Sequence, residues 1–110
     1  MAKFAVFFSL TGQTIANFIE RPSDRLATVQ AVVQPMGGNV DAYYFMFGQD
    51  DGVVIVDLAD SKTAAALSLA VSSTGAFSKV HTHELIPASD LNSVLERAKS
   101  ARASYRPPGA

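Results

Sequence analysis

The sequence predicts an α+β domain: a four-stranded antiparallel sheet in the order 4-1-3-2, with helices on one face and a further helix at the C-terminal end. Three observations predict it. Four short runs rich in β-branched and aromatic residues recur along the chain. Segments with apolar residues at three- and four-residue spacing separate the first run from the second and the third from the fourth. The two middle runs are joined by Gly48-Gln49-Asp50-Asp51-Gly52, residue types that suit a tight connection.

Taken in order, Lys3 to Leu10 is the first strand, with Phe4, Val6, Phe8 and Leu10 on one face and Ala5 and Phe7 on the other, so both faces demand cover. Thr11 suits the N-cap of a short helical stretch carrying Ile15, Phe18 and Ile19, which Pro22 interrupts. From Ser23, Leu26, Val29, Val33 and Met36 repeat at helical spacing until Pro35 and Gly37-Gly38 end the helix. Val40 to Phe47 and Val53 to Leu58 read as a hairpin about the Gly48–Gly52 turn. Asp60 is a natural cap for an Ala-rich helix striped by Ala64, Leu67 and Val71, with Gly75 just past its end. Phe77 to Ile86 is the last strand. Pro87 breaks it, and Ser89 or Asp90 caps a helix with Leu91, Val94, Leu95 and Ala98 on one side. Residues 1–104 read as one domain, and Tyr105 to Ala110, rich in Pro and Gly, as a flexible tail. The order βαββαβ, with right-handed crossovers, is the ferredoxin-like split βαβ arrangement.

Helices on one face leave the other bare, and here that face is expected to be apolar. The second strand offers Val40, Ala42, Tyr44 and Met46 on one side and Tyr43, Phe45 and Phe47 on the other. Phe7, Phe45, Phe47, Val53 and Ile55 left in water would make a larger apolar patch than a soluble monomer tolerates, which predicts association through the sheet face into a homodimer. The competing arrangement is the C-terminal helix folding back over that face.

Composition agrees and narrows the classes. Of 110 residues 48% are apolar and 17% charged, more apolar material than a chain this short can bury alone. Nine Lys and Arg, scattered along the chain, against ten Asp and Glu leave no basic patch, so nucleic acid is not an expected partner. The absence of cysteine excludes disulfides, thiolate metal sites and thiol nucleophiles. No run reads as a signal peptide or membrane span, and a cytoplasmic location is expected. Gly37-Gly38 lacks the rest of a phosphate loop, and no serine stands in a nucleophile elbow.

Lys3-Phe4-Ala5-Val6 followed by Thr11, and Gly48-Gln49-Asp50-Asp51 followed by Gly52-Val53-Val54-Ile55, resemble the GYD-domain family, small proteins related to the dimeric α+β barrels. The second stretch is similar to the family's Gly-Gln-Tyr-Asp signature ahead of a Val/Ile strand, with Asp50 in the place of the aromatic. In the last strand the family more often resembles Val-Arg-Thr-Glu-Thr, so His81 and His83 are a second departure. The resemblance implies a ferredoxin-like fold and a homodimer. Related barrel families include cofactor-independent monooxygenases, lactone isomerases and haem-binding enzymes, a breadth that a shared fold does not narrow.

Three groups of residues could carry chemistry. His81 and His83, two apart on a strand, share a face, and neutral imidazoles suit zinc, copper, iron or nickel as well as proton transfer. Asp57 lies two strands away from them, ~10 Å laterally, too far for easy co-ligation. Asp51 in the turn could bond backbone N–H groups, or could be a catalytic carboxylate if a neighbour desolvates it. Phe7, Tyr44, Phe45, Phe47 and Ile55 could line a site for a flat apolar ligand, although strand aromatics also serve as core and interface. The leading expectation is a homodimeric domain binding a small apolar molecule at the inner sheet face or dimer seam. The alternatives are a cofactor-free or metal-assisted enzyme in which His81, His83 or Asp51 moves protons, and an assembly protein that builds larger rings.

Overall fold

A computed structural model describes residues 1–110. The sheet is formed by β1 (Ala2–Leu10), β2 (Asn39–Phe45), β3 (Gly52–Leu58) and β4 (Phe77–Leu85), joined with α1 (Gly12–Glu20), α2 (Arg25–Val33), α3 (Ser61–Ser72) and α4 (Leu91–Ser104). The strand order is β2-β3-β1-β4 and every neighbouring pair is antiparallel, as the ferredoxin-like reading requires. The helix starts follow local chemistry. Thr11 Oγ1 accepts from Thr14 N, Asp24 from Ala27 N and Asp60 from Thr63 N, each satisfying a backbone donor that the helix leaves free. Pro35 draws the end of α2 into a short 3-10 turn (Gln34–Met36), and Gly37 closes it at a φ of 81° that favours glycine.

Alternation along β1 and β3 sends Phe4, Phe8, Val54, Val56 and Leu58 to the helix-covered face, where they meet Val33 of α2 and Ala64 and Leu67 of α3. Val33, Val56 and Leu58 are wholly buried at the centre. Gly52 is fixed by this packing: a Cβ there would land on the Phe8 ring, which is edge-on to Tyr43, Phe45 and Phe77. Gly38 is held similarly, with no room for a side chain against the Asp57 carbonyl and Leu58.

Two sequence expectations are corrected by β2. The strand was expected to alternate without interruption, but its register slips between Val40 and Ala42, so Val40 pairs with Val56 while Ala42 pairs with Ile55. An extra residue at such a bulge reverses the sense of alternation. Val40 therefore joins the core with Tyr43, while Ala42 and Tyr44 face the other way. Phe45 follows Tyr43 to the helix side, where it lies 6.0 Å from the Phe18 ring, and so does not share the bare face with Phe7 and Ile55. Phe47 falls beyond the end of β2 and is fully exposed in the turn, so it lines neither face.

The C-terminal helix does not fold back over the sheet. It touches chiefly the short turn Ala88–Asp90 that precedes it, and Leu91, Val94 and Leu95 are all exposed. The radius of gyration is 17.6 Å, against ~13 Å for a compact chain of this length. Only 10 of 110 residues are buried, so the surplus of apolar residues counted in the sequence is uncovered in a single copy. No helix is long and apolar enough to cross a membrane.

Candidate functional site

Two places in the fold gather chemistry, one on each side of the sheet. On the helix side α1 and α2 stand apart from α3 and leave a groove of about 620 Å³ between them. Its floor is Val6, Phe8, Val54 and Val80 of the sheet, and its walls include Phe18, Val29 and Val71 of the helices. Phe45 closes one flank. A volume of that size, mostly apolar with a few polar groups, is characteristic of small-molecule sites. The polar groups include the hydroxyls of Thr14, Thr28, Ser68 and Tyr43, with Arg21 and Arg25 at the helix junction. Ser68 Oγ also meets Thr82 Oγ1 of β4 at 2.8 Å. Burial pushes the Tyr43 phenol above its ordinary pKa, and the Arg25 guanidinium beside it acts in the opposite direction. Of the residues expected to line a ligand site, the groove takes Phe45 alone; Phe7, Tyr44, Ile55 and Phe47 are not part of it.

The bare face carries Phe7, Tyr44, Val53 and Ile55, together with His81 and His83. Antiparallel register sets His81 opposite Phe7 and His83 opposite Ala5. The His81 ring lies parallel on Phe7 at 5.1 Å, and His83 stands edge-on to it at 5.8 Å. His81 Nδ1 is 3.1 Å from His83 Nε2, and His81 Nε2 is 3.1 Å from Asp50 Oδ1. Asp50, its side chain 12% exposed, also lies 3.4 Å from Ser9 Oγ and 3.8 Å from the Lys79 ammonium.

The order of donors in this chain follows from valence. With the Asp50 carboxylate ionised, His81 Nε2–H must donate to it. A neutral His81 then offers a lone pair at Nδ1, so His83 Nε2–H donates there, and His83 is left with a free lone pair at Nδ1 on the exposed face. The arrangement is a relay ending in a base. Both nitrogens of His81 are engaged with separate partners here, and nowhere do three His, Asp or Glu side chains converge as metal ligands would. Asp57 takes no part: it pairs with Lys3 at 2.9 Å, and Lys3 holds Asp41 at 2.7 Å as well.

Asp51 has the turn role. Its Oδ2 accepts from Leu10 N at 2.7 Å, where the β1–β4 register slips and leaves that N–H without a strand partner. Its own N–H donates to the Phe8 carbonyl at 2.8 Å, which docks the hairpin turn on the end of β1 and thereby aims Asp50 at His81. Sequence reasoning chose Asp51 and passed over Asp50. The available signal was that Asp50 and His81 are both departures from the family pattern, and the fold places the two in contact.

The family model described as GYD domain matches residues 4–95, from β1 into the first turns of α4. No curated protein and no solved structure matches the chain.

Proposed function

This chain belongs to the GYD domain family, and from that premise we propose that it is a homodimeric binding domain for a small apolar molecule, with the molecule held in the groove between sheet and helices. The observation that carries the reading is the groove itself. A core left open to about 620 Å³ around Phe8, Val54 and Val80 forfeits the contacts that a closed helix layer would supply, and an apolar occupant restores them. The second copy belongs on the bare face. Phe7, Tyr44, Val53 and Ile55 offer it an apolar surface, and the unpacked Leu91, Val94 and Leu95 of α4 supply more area that a partner would cover.

Native mass spectrometry of untagged protein, with titration of an environment-sensitive apolar dye, tests both halves. A dimer that binds the dye, and a Val71→Phe variant that stays folded and dimeric but no longer binds, is the expected result. A monomer at micromolar concentration removes the dimer half. Dye binding that Val71→Phe leaves intact removes the groove half.

A second reading rests on the Asp50–His81–His83 relay. Closing a second copy over the bare face would shut the free nitrogen of His83 into a partly dry seam, the setting in which a neutral imidazole acts as a general base towards a small substrate. Under that reading His83→Ala and Asp50→Asn both abolish turnover of a substrate with an acidic C–H or O–H, while dye binding in the groove is unchanged.

A further inference from the structure

The groove is lined by 23 residues, and the ionisable side chains among them are one tyrosine and two arginines; it holds no Asp or Glu. Neither Arg21 nor Arg25 has a carboxylate within ion-pair distance anywhere in the chain. Resting on the reading of the groove as a binding site, we infer that its ligand is an apolar molecule bearing one carboxylate, with the chain or ring along Phe8, Val54 and Val80 and the anionic group at Arg25 and Arg21.

Charge and desolvation decide the class of ligand. An uncharged apolar ligand would fill the volume but leave the partly buried Arg25 facing it with only the Tyr43 hydroxyl beside it and no carboxylate, and a cationic ligand would be repelled. A carboxylate accepts two parallel N–H donors from one guanidinium, the geometry in which arginine binds most strongly. Arg25 opens α2, so the positive end of that helix adds to the attraction. Tyr43 adds a hydroxyl within the same wall, and Arg25 already acts on it electrostatically. Neither nearby acid serves the arginines: Asp24 caps α2 through Ala27 N, and Glu20 at the end of α1 lies outside the lining.

The test compares two probes of one chain length, decanoate and decan-1-ol, each displacing a bound fluorescent dye from the full-length protein at pH 7. Decanoate is expected to bind about ten-fold more tightly than the alcohol, the margin of one charge-assisted hydrogen bond. In Arg25→Gln the two probes should become equal while the affinity for the alcohol stays as it was, which also reports that the groove has kept its shape. If both probes displace the dye with equal affinity in the native protein, the carboxylate inference falls and the groove reading stands. Failure of both to displace it overturns the groove reading, and this inference with it. A preference for decanoate that survives in both Arg25→Gln and Arg21→Gln would assign the anion to another place and overturn the inference alone.

Discussion

The two faces of the sheet are built from the same strands and much the same residue types, yet they end in opposite states. On one, Phe8 is 4% exposed among Tyr43, Phe45 and Phe77; on the other, its neighbour Phe7 stays partly open between Val53 and the rings of His81 and His83. The helix face encloses its apolar groups incompletely and leaves a groove. The bare face buries only the small Ala5 and carries a polar relay of Asp50, His81 and His83 within an apolar surround. One strand thus divides its work: even-numbered residues of β1 pack towards the helices, and odd-numbered ones face away from them.

That division is most easily broken at its two phenylalanines. Phe8→Ala should destabilise the protein by about 4 kcal/mol, since it removes a buried ring from the centre of the core. Phe7→Ala should cost a single copy less than about 1 kcal/mol and instead weaken self-association, because the ring it deletes faces outward. Urea denaturation at low and high protein concentration separates the two effects. Equal losses that do not depend on concentration would mean that the faces are not distinct in the way described.

A smaller effect is expected at Gly52, where the core face dictates a residue that the hairpin turn alone would not. Gly52→Ala should cost about 2–3 kcal/mol through collision with the Phe8 ring. Pairing the change with Phe8→Leu should recover part of the loss, and two strictly additive penalties would show that the ring is not the cause.

How much of this was legible in the sequence follows the same line. The strands, the sheet order, the caps at Thr11 and Asp60 and the turn at Gly48–Gly52 could be read because each depends on neighbours a few residues away. The face occupied by Phe45 could not, because a bulge at position 41 of β2 depends on how that strand meets β3. The pairing of Asp50 with His81 spans 31 residues and arises only when the turn docks on the end of β1. The groove was invisible for a related reason. Periodicity says which side of a helix is apolar and says nothing of how far apart two helices stand on a sheet.

Asp51 and Asp50 show the same contrast between single side chains. Asp51→Ala should destabilise by about 1–2 kcal/mol, as the Leu10 N–H loses its acceptor. Asp50→Ala removes a carboxylate whose partners are the side chains of Ser9, Lys79 and His81, not a backbone donor, and should cost less, while freeing the His81 ring. That freedom is measurable as a change in the ring proton shifts of His81 and His83 without movement of core methyl resonances. Core shifts as large as those of Asp51→Ala would show that Asp50, too, has a structural task.

The smallest expected effect lies at the other end of the bare face, where Lys3 is held between Asp41 and Asp57. The hydrogen bond from Lys3 holds the Asp57 carboxyl below its ordinary range, against the opposing influence of burial. A carboxyl depressed in the folded state adds stability that is complete above its unfolded value, about 4, and is lost as the pH falls through the folded value. Asp60, lowered by the Thr63 backbone N–H, acts in the same window, whereas Lys3, raised chiefly by its hydrogen bond to Asp41, adds stability below its unfolded value that disappears as the pH rises through the folded one. Lys3→Met should therefore make the acid loss of stability shallower without abolishing it, because Asp60 remains, and should remove the alkaline loss assigned to Lys3. Exposure keeps these changes small, and salt should shrink them further. An acid limb that Lys3→Met leaves unchanged would assign it to Asp60 and other carboxyls. The Lys3 ion pairs on the bare face would then contribute nothing that matters to folding.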